Sequence, residues 1–208
     1  MDSAPAFDAA ETAPETAPPA YLPETVRTAV KLLVVGHFAV GKTTFVGTLS
    51  EIRPLRTEEL MTQAGAVVDD LAGVPDKTTT TVAMDFGRLT LSDRLVLYLF
   101  GTPGQSRFER LWHDLARGAL GALVLVDTAR LKQSFEVMDL LERHGLPYAV
   151  AVNRFETAPA FPDQEVREAL DLLPETPLVT CDARDQASST RALIALVDHL
   201  ISLDQESA

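Results

Sequence analysis

Gly36-His37-Phe38-Ala39-Val40-Gly41-Lys42-Thr43 fits the pattern G-x-x-x-x-G-K-[ST]. These residue types suit one chemistry, the cradling of phosphate. Glycines at both ends let the backbone wrap an anion with its N–H groups. Lys42 supplies a cation between neighbouring phosphates, the Thr43 hydroxyl is a ligand for Mg²⁺, and Thr44 completes the stretch as a further contact. Within the loop, the side chain of His37 reads either as a phosphate or partner contact or as a solvent-facing group whose backbone does the binding. The pattern gains force from its setting. Val30 to Val35 is an apolar run typical of a buried strand, and a helix is predicted from near Gly41 to a stop before Pro54. A helix N-terminus adds a favourable dipole for an anion.

Four further segments bear on what carries the phosphate. Leu99-Phe100-Gly101-Thr102-Pro103-Gly104-Gln105 ends one strand-like run, and Asp127 ends another. Thr78 to Thr81 precede a third, and Asn153-Arg154-Phe155-Glu156 and Thr180-Cys181-Asp182-Ala183-Arg184 follow two more. Together with the phosphate loop they resemble the small Ras-like GTP-binding proteins. In those a strand ends in Asp-x-x-Gly-Gln, so the resemblance puts the Gly104 N–H on a γ-phosphate and makes Gln105 the catalytic residue that orients water. It likewise makes Thr81 a γ-phosphate sensor and Mg²⁺ ligand. Gly101 stands where the aspartate belongs, and Asp85 is the candidate replacement at the metal. With Ser92-Asp93 as a two-residue hairpin turn, paired positions sum to about 185 and Asp85 faces Phe100, next to Gly101. Thr81 and Asp85 then share one strand face, and twist or a slipped register brings Asp85 to the metal. The other reading of Asp85 is a carboxylate satisfied by loop N–H groups.

The same resemblance assigns a base site. Asn153 matches the family's Asn-Lys-x-Asp, the stem of Arg154 can cover a base, and Phe155 lies between. Glu156 keeps the carboxylate with one methylene more. A carboxylate accepts from guanine N1 and N2 together, a donor pair that adenine lacks. Asp182-Ala183-Arg184 resembles the family's Ser-Ala-Lys loop, with the Ala183 N–H meeting guanine O6. GTP or GDP with Mg²⁺ is therefore the expected ligand.

A narrower resemblance covers residues 30 to 200. The stretches Gly41-Lys42-Thr43-Thr44-Phe45-Val46-Gly47, Pro75-Asp76-Lys77 through Asp85-Phe86-Gly87, and Leu97 to Gln105 are similar to small GTP-binding proteins of actinobacterial conservon operons, relatives of the bacterial MglA GTPases. That resemblance implies a slowly hydrolysing switch working with a roadblock-type regulator and a sensor-kinase-like membrane protein. It also makes Gly101 a family trait. Two departures stand out: Glu156 in place of Asp, and Phe38-Ala39 where small residues or a glycine are usual.

Positioning these loops requires an α/β fold. Thr81 to Leu91 and Arg94 to Phe100 form the one hairpin signal, with residues 55 to 80 read as a loop. Ala119 to Val126, Tyr148 to Val152 and Leu178 to Cys181 are further strands. Helical patterns occupy about 105–117, 131–144, 163–172 and 188–203. The expectation is a six-stranded, mostly parallel P-loop NTPase sheet of the small-GTPase kind, with one antiparallel hairpin and helices on both faces. Phe108, Leu111 and Trp112 are apolar at helical spacing and read either as core or as a docking face for a partner. Arg107, near Gln105, reads as a surface ion pair or an internal finger.

Composition narrows the classes. The 208 residues suffice for one full core, expected over 29–203, with a disordered acidic tail at 1–28 and a short flexible end at 204–208. A net charge of −12 without a Lys/Arg cluster argues against nucleic acid. No apolar run reaches the roughly 20 residues of a membrane span, and neither a secretion signal nor a lipidation motif is seen. The single Cys181 reads as a small buried strand residue in a reducing compartment. The location expected is cytoplasmic, with any membrane recruitment through partners.

Overall fold

The computed structural model describes residue 22 and residues 25–60, 81–103 and 109–207. The predicted acidic tail, apart from its last few residues, lies outside this range, as do Thr78 to Thr80, Gly104, Gln105, Arg107 and Phe108. Apolar strands at the centre and amphipathic helices around them produce the element order β1 (Thr28–Val35), α1 (Lys42–Leu49), β2 (Leu55–Leu60), β3 (Thr81–Thr90), β4 (Leu95–Gly101), α2 (Glu109–Ala116), β5 (Gly121–Val126), α3 (Phe135–Arg143), β6 (Tyr148–Asn153), α4 (Asp163–Ala169), β7 (Leu178–Cys181) and α5 (Gln186–Ser207). No helix of the described residues is long and apolar enough to cross a membrane.

The strands form one sheet in the order β2-β3-β4-β1-β5-β6-β7. Its parallel part, β4-β1-β5-β6-β7, is as expected. The strand count is not: Leu55–Leu60, read as loop from its mixed polar sequence, pairs antiparallel with β3 as a seventh, edge strand. The mostly parallel α/β reading stands, with two antiparallel pairs instead of one.

Alternation along the central strands divides the core in two. Leu32 and Val34 point to the face covered by α1 and α5, where Phe45, Val46, Leu193 and Leu196 are buried. Leu33 and Val35 point to the face of α2, α3 and α4, with Met138, Leu141 and Val166. β1 lies between β4 and β5, and the chain leaves its carboxyl end toward one side and returns from β4 toward the other. A crevice outside the strand ends at such a switch point is where ligands bind in this class of sheet.

Element ends depart from expectation where side chains intervene. Thr128–Ser134 is a 3₁₀ segment ahead of α3, opened by the Asp127 carboxylate accepting from the Ala129 N–H and broken at Arg130. α5 runs on to Ser207, through residues expected to be a flexible end, and β1 begins already at Thr28. Cys181 is fully buried, as expected, and burial raises its thiol pKa.

Trp112 settles one open reading. Its side chain is only 5% exposed and belongs to the core beneath α2, with its ring against His144, so it is no docking face. The side chains of Phe108 and Leu111 lie outside the described residues. Trp112→Ala should cost about 3–5 kcal/mol and lower the melting temperature by roughly 6–20 °C. A thermal melt followed by circular dichroism measures it, and an unshifted melt would return Trp112 to the surface.

Candidate functional site

The phosphate loop turns at the head of α1. Ala39 and Gly41 both have positive φ, 63° and 104°. Gly41 is doubly constrained, because a Cβ there would stand 2.5 Å from the Asn153 amide nitrogen. That amide ties three sequence segments together. Asn153 Nδ2 donates to the Val40 carbonyl at 2.9 Å, and Asn153 Oδ1 accepts from the Ala183 N–H at 3.0 Å. Thr48 on α1 adds a bond to the Ala183 carbonyl at 2.7 Å. The predicted phosphate loop and the two predicted base loops are therefore one connected unit.

Lys42 folds back over its own loop, donating to the carbonyls of Gly36 at 2.8 Å and His37 at 2.7 Å. Burial pushes its pKa down to about 8, against an upward pull from Asp85. A phosphate would raise it again. The sign follows: below pH 8 the ammonium is already charged, and above it nucleotide binding must draw a proton from solvent. Affinity of the nucleotide-free protein should thus fall as pH rises from about 8 to 9.5, with proton uptake approaching one per site. Calorimetry in buffers of different ionisation enthalpy reads that uptake. Zero uptake across the range would show the free loop keeps Lys42 charged.

His37 departs from the solvent-facing reading. It is 5% exposed, its Nδ1–H donates to the Phe38 carbonyl at 2.7 Å, and Nε2 has no hydrogen-bond partner among the described residues. Burial lowers its pKa, so the ring is held neutral. Phe38 takes the opposite position, 69% exposed on the outside of the loop.

The side of the site expected to face Mg²⁺ is built by β3 and β4. The register pairs Asp85 with Gly101, one residue off the expected partner Phe100. The cause is local. Ser92 Oγ accepts from the N–H groups of Arg94 and Leu95, both at 3.2 Å, and Leu91 N–H bonds the Leu95 carbonyl. The connection thus spans three residues where two were expected, and the one-residue slip puts Asp85 and Gly101 on the same face.

A Cβ at position 101 would stand 3.1 Å from Asp85 Cβ and 3.2 Å from Oδ2. The Asp85 carboxylate fills the space an aspartate at 101 would claim. Thr43 Oγ1 donates to Asp85 Oδ2 at 2.5 Å, a charge-assisted bond. A hydroxyl and a buried carboxylate in contact at the head of a phosphate-binding helix are oxygen donors of the kind Mg²⁺ takes. These residues fit that ion.

Of the other candidates, Thr44 is exposed on α1 and Thr81 opens β3, its side chain outside the described residues. Phe155 is half-buried and Glu156 exposed. Asp182 bonds both the backbone and the guanidinium of Arg184. Sequence reasoning missed Thr48 and underrated Asn153, whose bridging bonds depend on two loops distant in sequence.

Fold and site define a P-loop nucleotide-binding protein. The chain belongs to the family described as conserved hypothetical ATP binding protein, which matches residues 34–203. It is similar to the uncharacterized protein MJ1339 of Methanocaldococcus jannaschii, at 34% identity over 127 residues, 60% of this chain and 70% of that protein. It is also similar to Ras-related protein Rab-40A-like of Homo sapiens, at 31% identity over 135 residues, 62% of this chain and 42% of that one. The chain thus spans less than half of the Rab relative. Among solved structures, the G domain of the T. maritima FeoB iron transporter shares the fold, with TM-score 0.57, 18% identity and coverage of 83% of this chain and 99% of that one.

Proposed function

We propose that the chain is a guanine-nucleotide switch that binds GTP and GDP with Mg²⁺, cleaves GTP slowly and signals its state to partner proteins. The observation that carries this reading is the Asn153 bridge, which joins the phosphate loop to the Ala183 loop and sits three residues before the Glu156 carboxylate. Guanine presents a donor pair to such a carboxylate and adenine does not. Similarity to a Ras-related protein supports the same reading. Mg²⁺, when bound, would neutralise charge on the phosphates. Thr43 and Asp85 would hold it, Lys42 would lie along the phosphates, and Gln105 would orient water.

The family description names ATP, so the base is what must be tested. Titration of nucleotide-free protein with GDP and ADP in competition should give GDP at least about tenfold tighter binding, one charge-assisted hydrogen bond's worth. Equal affinities overturn the guanine reading. A second reading, a nucleotide-bound scaffold without turnover, draws on the exposed Phe38 ring at the phosphate loop. Phosphate release from preloaded GTP separates the two.

The conservon resemblance extends the proposal to partners. A roadblock-type regulator and a sensor-kinase-like membrane protein would read the switch loops and would bring a cytoplasmic protein to the membrane. Capture by purified candidates of GTP-loaded but not GDP-loaded protein is the expected outcome.

A further inference from the structure

Three charged side chains line the base end of the site. Arg184 Nε donates to Asp182 Oδ1 at 3.0 Å and Nη2 to Asp182 Oδ2 at 2.9 Å, while the Arg184 backbone N–H donates to Oδ1 at 2.9 Å. This two-pronged grip fixes the guanidinium plane. The remaining nitrogen, Nη1, stands 3.9 Å from Glu156 Oε1. Hydrogen bonds from Arg184 also hold the Asp182 carboxyl below its usual pKa.

The arrangement answers a problem set by the sequence. Glu156 carries one more rotatable bond than an aspartate, and its side chain is 88% exposed. A carboxylate that free loses rotamer entropy when a base fixes it. Asp182, on the neighbouring loop, would moreover repel it. Arg184 sits between the two acids and is itself immobilised by one of them.

We propose that Arg184 is a positioning residue for base specificity: gripped by Asp182, it holds the Glu156 carboxylate where the N1 and N2 donors of a guanine would meet it. A carboxylate has about four lone-pair sites, so contact with Nη1 leaves both oxygens able to accept from a base. This rests on the guanine reading above. Arg184 acts through Glu156 and on discrimination between bases, whereas a residue that merely shaped its loop would change all affinities alike.

Inosine diphosphate lacks the N2 amine, so the ratio of GDP to IDP affinity reads the Glu156 contact. Arg184→Met should shrink that ratio about 1.4- to fivefold, the range of an exposed ion pair, and Arg184→Lys should recover part of it. Raising salt to about 0.5 M should shrink the wild-type ratio but not that of Arg184→Met. In a Glu156→Gln background, Arg184→Met should change the ratio no further, because the two residues act as one unit. If wild type prefers GDP to ADP yet Arg184→Met keeps the wild-type GDP/IDP ratio, this proposal falls and the guanine reading stands. An equal effect of Arg184→Met in the Glu156→Gln background also overturns it. If wild type shows no preference for GDP over ADP, both fall together.

Discussion

Asp85→Ala should release bound nucleotide about 10–100-fold faster at limiting Mg²⁺, the range seen when a group that supports a metal site is lost. The free Mg²⁺ needed to retain half the nucleotide should rise by the same factor. Position 101 offers no carboxylate, and its Cβ space is taken by the side chain of Asp85 from the antiparallel neighbour. That carboxylate accepts from the hydroxyl of Thr43, the other group proposed to hold Mg²⁺.

The sharper form of the test exchanges the two positions. Gly101→Asp in the Asp85→Ala background puts a carboxylate back into the same space from the other strand, and should restore part of the retention. Gly101→Asp alone should do harm, because its Cβ would stand 3.1 Å from Asp85 Cβ and it adds a second negative charge beside the first. Off-rates of a fluorescent nucleotide across a Mg²⁺ titration measure all three variants. Rates that stay at wild-type values for Asp85→Ala would reduce Asp85 to a structural acceptor for Thr43.

The pattern from Gly36 to Thr43 was legible as a turn between strand and helix because its residue types are dictated by one chemistry, backbone N–H groups, one cation and one hydroxyl, though the side chain of His37 was not. Asp85 was legible as a candidate, but its pairing with Gly101 was not. Parity along β3 is a backbone rule, whereas the register with β4 hung on the Ser92 hydroxyl capping two N–H groups, a contact no periodicity reports. β2 was missed because Leu55-Arg56-Thr57-Glu58-Glu59-Leu60 lacks both alternation and an apolar run, and an edge strand needs neither. His37 was misplaced for the opposite reason. A histidine in a phosphate loop invites a polar reading, but the fold buries the residue. Trp112 sat between two readings until packing on α3 decided it, since helical spacing alone does not say which side faces the sheet.

Hydrolysis of GTP by the isolated protein should be slow, on the order of 10⁻² per minute or below, the scale of a G domain without an activating partner. In-line attack on the γ-phosphate spreads charge over its oxygens, and an arginine finger typically contributes about 10³–10⁵-fold in rate. Arg130, whose charge is felt at His37 in the phosphate loop, is bound instead to Asp127 at 3.2 Å. Lys42 is the loop's own cation, and it is committed to loop carbonyls until phosphate displaces them. Phe38 compounds the deficit. Its ring is 69% exposed on the phosphate loop, at a position the resembled GTP-binding proteins usually give to a small residue, and the expectation is that it crowds attacking water and an incoming guanidinium. Phe38→Gly removes the ring and leaves the backbone donors in place. It should raise single-turnover phosphate release, most of all with an activating partner present, because relief of crowding matters most when a finger must enter. The melting temperature of Phe38→Gly should stay near wild type, since an exposed ring contributes little to the core. A wild-type rate of several per minute, or a Phe38→Gly variant no faster with or without an activator, would show that the ring does not obstruct the reaction.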